Sequence, residues 1–181
     1  MNRHMKTYPL LLVCSLALQS FAADTSAPAL ASLGSGTNKL APLVVLAPTE
    51  AALTAPLVLT NGCIGQPEQT ELPAGGKAIY NFTLANAGTF VIRAVVNAPD
   101  ESANSFYVNI DANPEDPAMI WDIDTTSGFE ERTVSWRGNG DPTSDEFAPK
   151  RFKLSAGAHK LIIVGREPAQ MKTVFVYPAE K

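Results

Sequence analysis

The sequence predicts an all-β domain of the two-sheet antiparallel sandwich type, and three observations predict it. Short runs of β-branched and aromatic residues recur at intervals of roughly 8 to 15 positions, each closed by turn residues. Apolar spacing at i, i+3, i+4 and i+7 is not sustained beyond the N-terminal segment. Fourteen prolines break most of the remaining windows in which a helix could run.

The first 22 residues have the grammar of a secretory signal peptide. Arg3 and Lys6 precede an apolar run from Tyr8 to Leu18, and Ser20-Phe-Ala22 puts small residues where a signal peptidase inspects them. That run is well short of the roughly 20 apolar residues needed to cross a bilayer core, and no later stretch is long enough, so no transmembrane anchor is expected after cleavage following Ala22. Val13 stands before Cys14 where a lipoprotein signal wants a small residue, so cleavage without lipidation is the expectation, with the product secreted or periplasmic. Residues 23 to 42, rich in Ala, Ser, Gly, Thr and Pro, read as a flexible leader. The sandwich domain is then residues 43 to 181.

Within it, Thr49 to Leu53 suggests one helical turn ended by Pro56. Tyr80-Asn-Phe-Thr-Leu84 and Thr89 to Val96, joined by Asn86-Ala-Gly88, read as a hairpin. Ser105 to Asp111 alternates so that Phe106, Val108 and Ile110 share one face, the core face, leaving Tyr107 and Asn109 on a wetter one. Further strands are expected at Met119 to Ile123, Arg132 to Trp136, Arg151 to Leu154, His159 to Val164 and Lys172 to Tyr177, with Ser155-Ala-Gly157 as a turn.

Composition restricts the chemistry. Removing 22 of 181 residues leaves 159, enough for one domain with its own core. The signal takes two of the 14 basic residues, leaving 12 against 18 acidic ones and a net charge near −6. With Lys and Arg dispersed, phosphate neutralisation has no source and nucleic acid is excluded as a partner. Cys63 stands alone once Cys14 is removed, so no internal disulfide forms, and the expected role of Cys63 is a small buried hydrophobe.

No catalytic constellation stands out. The mature chain has one histidine, His159, at a strand start after a turn, where it is expected to hydrogen-bond that turn. Gly75-Gly76 and Gly138-Asn-Gly140 lack the spacing and following helix of phosphate loops. Asp122-Ile-Asp124 and Glu130-Glu131 are carboxylate pairs of the kind a glycosidase needs, but they fall at strand ends. Asp122 to Gly128 carries glycine one place late for an EF-hand loop, which leaves a looser, oxygen-lined structural calcium site among Asp111, Glu115, Asp116, Asp122 and Asp124 as the metal candidate. Asn81-Phe-Thr83 matches a glycosylation sequon but falls in a strand centre.

The second half carries a longer pattern: Asn104-Ser-Phe-Tyr-Val-Asn-Ile-Asp111, Ile120-Trp-Asp122, Val134-Ser-Trp136, Phe152-Lys-Leu-Ser-Ala-Gly-Ala-His159 and Val164-Gly-Arg-Glu167, with Ala87-Gly-Thr-Phe-Val-Ile-Arg93 before them. Over roughly Gly76 to Val176 this resembles the galactose-binding-like jelly-roll carbohydrate-binding modules of families 6 and 35. The resemblance implies a jelly-roll sandwich that binds glycan at its loop edge, with an aromatic ring stacked on a sugar face and polar groups on its hydroxyls. The implied site is Trp136 with Arg137 and Asn139, supported by Trp121, Asn104 and Gln170. Gln170 stands for the family's amide near the last strand, whereas Lys172 stands where an aspartate would help to hold calcium, with Glu50 as the N-terminal acidic ligand. Arg166-Glu167 is expected to be a structural ion pair.

Three functions fit these residues. The first is an exported, non-catalytic carbohydrate-binding module whose partner is a polysaccharide or other glycan. The second is a structural or protein-interaction sandwich that meets an envelope or secreted protein and buries its tryptophans. The third is a small hydrolase with acids gathered around His159 or Cys63.

Overall fold

The computed structural model describes residues 41–137 and 148–180, all within one compact unit, Asn38–Lys181. The described residues form twelve strands and one short 3-10 turn, Pro48–Glu50. The strands are β1 (Val44–Leu46), β2 (Ala52–Leu53), β3 (Val58–Thr60), β4 (Cys63–Gly65), β5 (Lys77–Leu84), β6 (Gly88–Asn97), β7 (Ser105–Ile110), β8 (Ile120–Asp122), β9 (Glu130–Thr133), β10 (Phe152–Leu154), β11 (Gly157–Gly165) and β12 (Gln170–Pro178). No described helix is long and apolar enough to cross a membrane.

Every strand pair is antiparallel, in two sheets. One has five strands in the order β2-β5-β11-β7-β8. The other has seven, β10-β6-β12-β4-β3, with β1 also on β12 and β9 also on β6. The inward residues follow the period of two: Ala78, Tyr80, Phe82 and Leu84 from β5 face Phe90, Ile92, Ala94 and Val96 from β6, with Phe106, Leu161, Ile163 and Met171 between them.

The all-β sandwich is therefore as expected, and three local expectations are corrected. First, β5 and β6 do not form a hairpin. β5 pairs with β2 and β11, whereas β6 pairs with β10, β9 and β12. Residues 85–87 carry the chain from one sheet to the other, because both strands bury their apolar face against the same core. Second, the face of β7 that carries Tyr107 and Asn109 is buried. Tyr107 packs with Ile120, Ile162, Val164 and Leu72 in a second apolar cluster outside the five-stranded sheet. The β4–β5 connection lies over it, held by Thr70 N–H on the Arg166 carbonyl (2.7 Å) and Thr70 Oγ1 on the Gly165 carbonyl (3.1 Å). Third, Cys63 is half-buried, because it points outward from β4 while its neighbour Ile64 takes the core position.

β1 to β4 carry no strand expectation in the sequence: the helical turn expected from Thr49 to Leu53 is a 3-10 turn at Pro48–Glu50 followed by β2, and β3 and β4 form a tight hairpin. Its two-residue turn is Asn61-Gly62, with φ of 51° and 74°, the left-handed pair that twists a hairpin in the favoured sense.

Candidate functional site

The anticipated binding residues fall in two places. Trp136, Arg137, Trp121 and Asn104 lie along the sandwich edge where β8 of one sheet faces the chain leaving β9 of the other. Gln170 lies on the outer face of the seven-stranded sheet. Asn139 lies outside the described residues.

At the edge, the side chains are engaged with the protein. The Trp136 indole N–H donates to the Val108 carbonyl at 2.8 Å, beyond the last residue of β7 that β8 pairs. Lys150 Nζ sits 3.9 Å from the centre of the half-buried Trp136 ring, and Phe152 meets the ring edge-on at 5.7 Å. Arg137 holds Asp122 with two 2.8 Å hydrogen bonds, from Nε and from one terminal nitrogen, a planar fork on a carboxylate. Trp121 is only 1% exposed and packs against Phe106, so it has no face to offer a ligand, and its sequence-based assignment is corrected to core. Asn104 Nδ2 donates to the Ile123 carbonyl (3.0 Å) and its backbone N–H to Glu167 (3.1 Å), which fixes the turn into β7. Arg166 and Glu167 form the anticipated ion pair, with Arg166 also donating to Ser105 Oγ at 2.7 Å.

Gln170 lines a groove of about 560 Å³ on the outer face, within the size range of ligand clefts. Register explains its walls. Gln170 pairs with Gly65, Gly65 with Val58, and Cys63 with Thr60, so alternate residues of β12, β4 and β3 point the same way, away from the core. Phe129, in the turn before β9, closes the other side with 37% exposure, an unusual degree for a phenylalanine. Lys172 Nζ sits 3.9 Å from its ring centre. Gln170 Oε1 accepts from Asn97 Nδ2 at 3.4 Å, and Asn61 at the hairpin tip adds another amide. Sequence reasoning named Gln170 and missed Phe129. The available signal was a large aromatic directly after Ser127-Gly128, a turn in which burial is hard to achieve.

His159 and Asp111 are committed to structure. His159 Nδ1 meets Asp111 Oδ2 at 2.7 Å and Nε2 meets the Ser155 carbonyl at 2.9 Å, the turn contact expected of it. The Asp111 hydrogen bond and then the Ser155 hydrogen bond raise the imidazole pKa above its ordinary value. Burial pushes the Asp111 carboxyl up, yet the His159 and Lys160 hydrogen bonds and charges outweigh it and leave the pKa lowered. A carbonyl and a carboxylate are both acceptors, so these two contacts favour the doubly protonated ring, in which neither nitrogen is free to act as a base.

The suggested calcium set is dispersed. Asp111 is held by His159, Asp122 by Arg137, and Glu50 turns back onto the Ala47 N–H at 2.5 Å. Among the described residues no three His, Cys, Asp or Glu side chains converge as metal ligands.

No family model and no curated protein matches this chain. Solved structures do. A family 35 carbohydrate-binding module from Clostridium thermocellum aligns with a TM-score of 0.54 at 11% identity, over 75% of this chain and 98% of that one. The family 35 module of Paenibacillus barcinonensis gives 0.51 at 14% identity, over 75% and 99%. The GH26-CBM35 β-(1,4)-mannanase of Podospora anserina gives 0.54 at 11% identity, over 76% of this chain and 28% of the enzyme, so this chain spans less than a third of that protein. The domain has the jelly-roll sandwich fold of family 35 carbohydrate-binding modules.

Proposed function

We propose that this protein is an exported, non-catalytic carbohydrate-binding module and that its sugar platform is Phe129, with Gln170, Asn97 and Asn61 as hydroxyl partners. The observation that carries the reading is the exposed Phe129 ring beside paired amides in an open groove. A pyranose offers a patch of C–H groups that prefers an aromatic face, and amides can both donate to and accept from its hydroxyls. The shared fold with carbohydrate-binding modules supports the same reading. The non-catalytic part is supported by His159, which has both nitrogens engaged, and by the Asp122 carboxylate, which is clamped by Arg137.

A second placement, on Trp136 and Arg137, is favoured by one observation: Trp136 is half-exposed at the sandwich edge, where the segment holding Asn139 departs. Against it, the indole N–H is spent on Val108, while a lysine ammonium lies 3.9 Å from the ring centre at Trp136 and at Phe129 alike and so favours neither.

The test is retention on insoluble polysaccharides and a glycan array by protein beginning at Ala23, with Phe129→Ala and Arg137→Ala as variants. Phe129 is exposed, so Phe129→Ala should fold, whereas Arg137→Ala also strips the buried Asp122 of its partner and its folding is checked by thermal unfolding alongside the binding assay. Phe129→Ala is expected to weaken binding at least about tenfold, while Arg137→Ala retains it. Loss in Arg137→Ala alone moves the site to the edge. Failure of the unaltered protein across a broad panel replaces the glycan reading with a sandwich that binds a protein partner.

A further inference from the structure

We propose that the outer face of the seven-stranded sheet is one continuous track for an internal stretch of an extended polysaccharide, of which the Phe129 groove is only one end. This rests on the glycan reading above and adds the class of ligand: a chain several sugar units long rather than a terminal sugar.

The two sheets treat their outer faces differently. The five-stranded sheet is roofed by the β4–β5 connection, which buries Tyr107, Ile162 and Val164. The seven-stranded sheet leaves a row of large side chains in partial contact with solvent. Its register places Val45, Phe175, Arg93 and Thr133 side by side across β1, β12, β6 and β9, all pointing outward. Val45 is 53% exposed and Phe175 half-buried, so the row, which crosses the strands, is apolar at its β1 end and polar at its β9 end, where Arg93 and Thr133 stand.

At the far end of this face, a second cleft of about 140 Å³ is lined by Val91, Arg93, Thr133, Arg151 and Tyr177, among others. The Arg93 guanidinium lies 4.7 Å from the Tyr177 ring centre and is anchored to Glu131 at 3.1 Å, which fixes its orientation. Arg151 donates to the Glu180 carbonyl at 2.7 Å. Two guanidinium groups and a threonine hydroxyl make this a donor-rich pocket, suited to sugar hydroxyl and ring oxygens.

The geometry joins the two ends. Asn97, which bonds Gln170 of the Phe129 groove, and Val91, at the arginine cleft, are residues of the same strand, β6, so the separation is about 20 Å at a strand rise of about 3.4 Å. Val95 and Phe175 lie on the outer face between them. A single sugar cannot touch both ends, whereas an extended chain lying along β6 and β12 can. Contacts made at separate points along one ligand reinforce one another, because the second forms within the complex.

The experiment is calorimetric titration of the protein from Ala23 onward with β-1,4-manno-oligosaccharides and β-1,3-galacto-oligosaccharides of two to six units, alongside the parent polysaccharides and the array. The expected result is affinity that climbs at least about tenfold from the shortest to the longest member of a bound series. Arg151 is exposed, so Arg151→Ala leaves the core intact; it is expected to remove most of that climb while leaving the disaccharide unaffected. Phe129→Ala should weaken every length. Equal affinity for two and six units, with Arg151→Ala silent throughout, overturns the track and leaves the Phe129 site standing. Absence of binding to every oligosaccharide, polysaccharide and array glycan overturns the glycan reading itself, and the track with it.

Discussion

His159 illustrates how one side chain can be read for charge and for consequence. Its ring donates to Asp111 and to the Ser155 carbonyl, tying the end of β7 to the turn before β11. Asp111 has a φ of 62°, a left-handed conformation uncommon outside glycine, and its other oxygen accepts the Lys160 N–H at 2.8 Å. The hydrogen bonds to Asp111 and Ser155 raise the imidazole pKa in the folded state. A raised folded value means that the histidine's contribution is complete below its unfolded pKa of about 6.5 and is lost as pH rises through the folded value. The lowered carboxyl of Asp111 contributes above its own unfolded value and loses that contribution only as pH falls through the folded one. The pair is therefore worth most between the two, in mildly acidic solution. The difference in Tm between the unaltered protein and His159→Gln should be largest near pH 5 to 6 and shrink steadily toward pH 9, as measured by thermal unfolding across that range. A difference that grows with pH instead would mean that the ring is neutral in the folded protein.

At the scale of elements, the close approaches between strands and loops set the tolerance to change. Gly76 precedes β5, and a Cβ there would lie 2.2 Å from the Leu57 nitrogen, 2.5 Å from the Thr54 oxygen and 2.8 Å from the Pro56 nitrogen. All three atoms are backbone, so no side chain can swing aside. The same approach lets the Thr54 N–H bond the Lys77 carbonyl at 2.9 Å and seats Leu57, which is 2% exposed, in the core. Gly76→Ala must separate these segments, and a loss of about 2–4 kcal/mol is expected, read as a lower denaturation midpoint with an unchanged m-value. The sequence offered Gly75-Gly76 only as a turn, because the clash is with residues 20 positions earlier, brought together by the fold. Elements with strong period-two patterns, such as β5 and β6, were legible for the same reason that they bury one side. Their partners were not. Adjacent strands joined by Asn86-Ala-Gly88 look alike whether they pair or cross between sheets, since burying an apolar face satisfies either arrangement. β3 and β4 were illegible as strands because Val58 and Leu59 are exposed and carry no alternation, although Asn61-Gly62 alone was a hairpin signal.

On the scale of the whole molecule, the fold class was written in composition and spacing, while the proposed site was only half written. Gln170 could be placed by analogy of position; Phe129 could not, because its value comes from exposure, which depends on three strands and a turn meeting on one face. Trp121 and Trp136 drew attention as aromatics near loops, and both are tied into the edge that closes the sandwich. That edge also bears on metal dependence. Arg137 and Asp122 bridge the two sheets with a bidentate pair, Trp136 adds a hydrogen bond to Val108, and the pair of Arg166 with Glu167 secures the opposite end of β7. These contacts do the cross-sheet fastening that a structural cation could otherwise supply, and they use the carboxylates such an ion would need. Chelation with EDTA should then leave both the Tm and polysaccharide retention unchanged, and added calcium should raise neither. Substituting Arg137→Ala, by contrast, should lower the Tm, because it leaves the largely buried Asp122 carboxylate without its partner. A fall in Tm on chelation, reversed by calcium, would show instead that the carboxylates regroup around an ion and that the sandwich is closed by metal rather than by arginine.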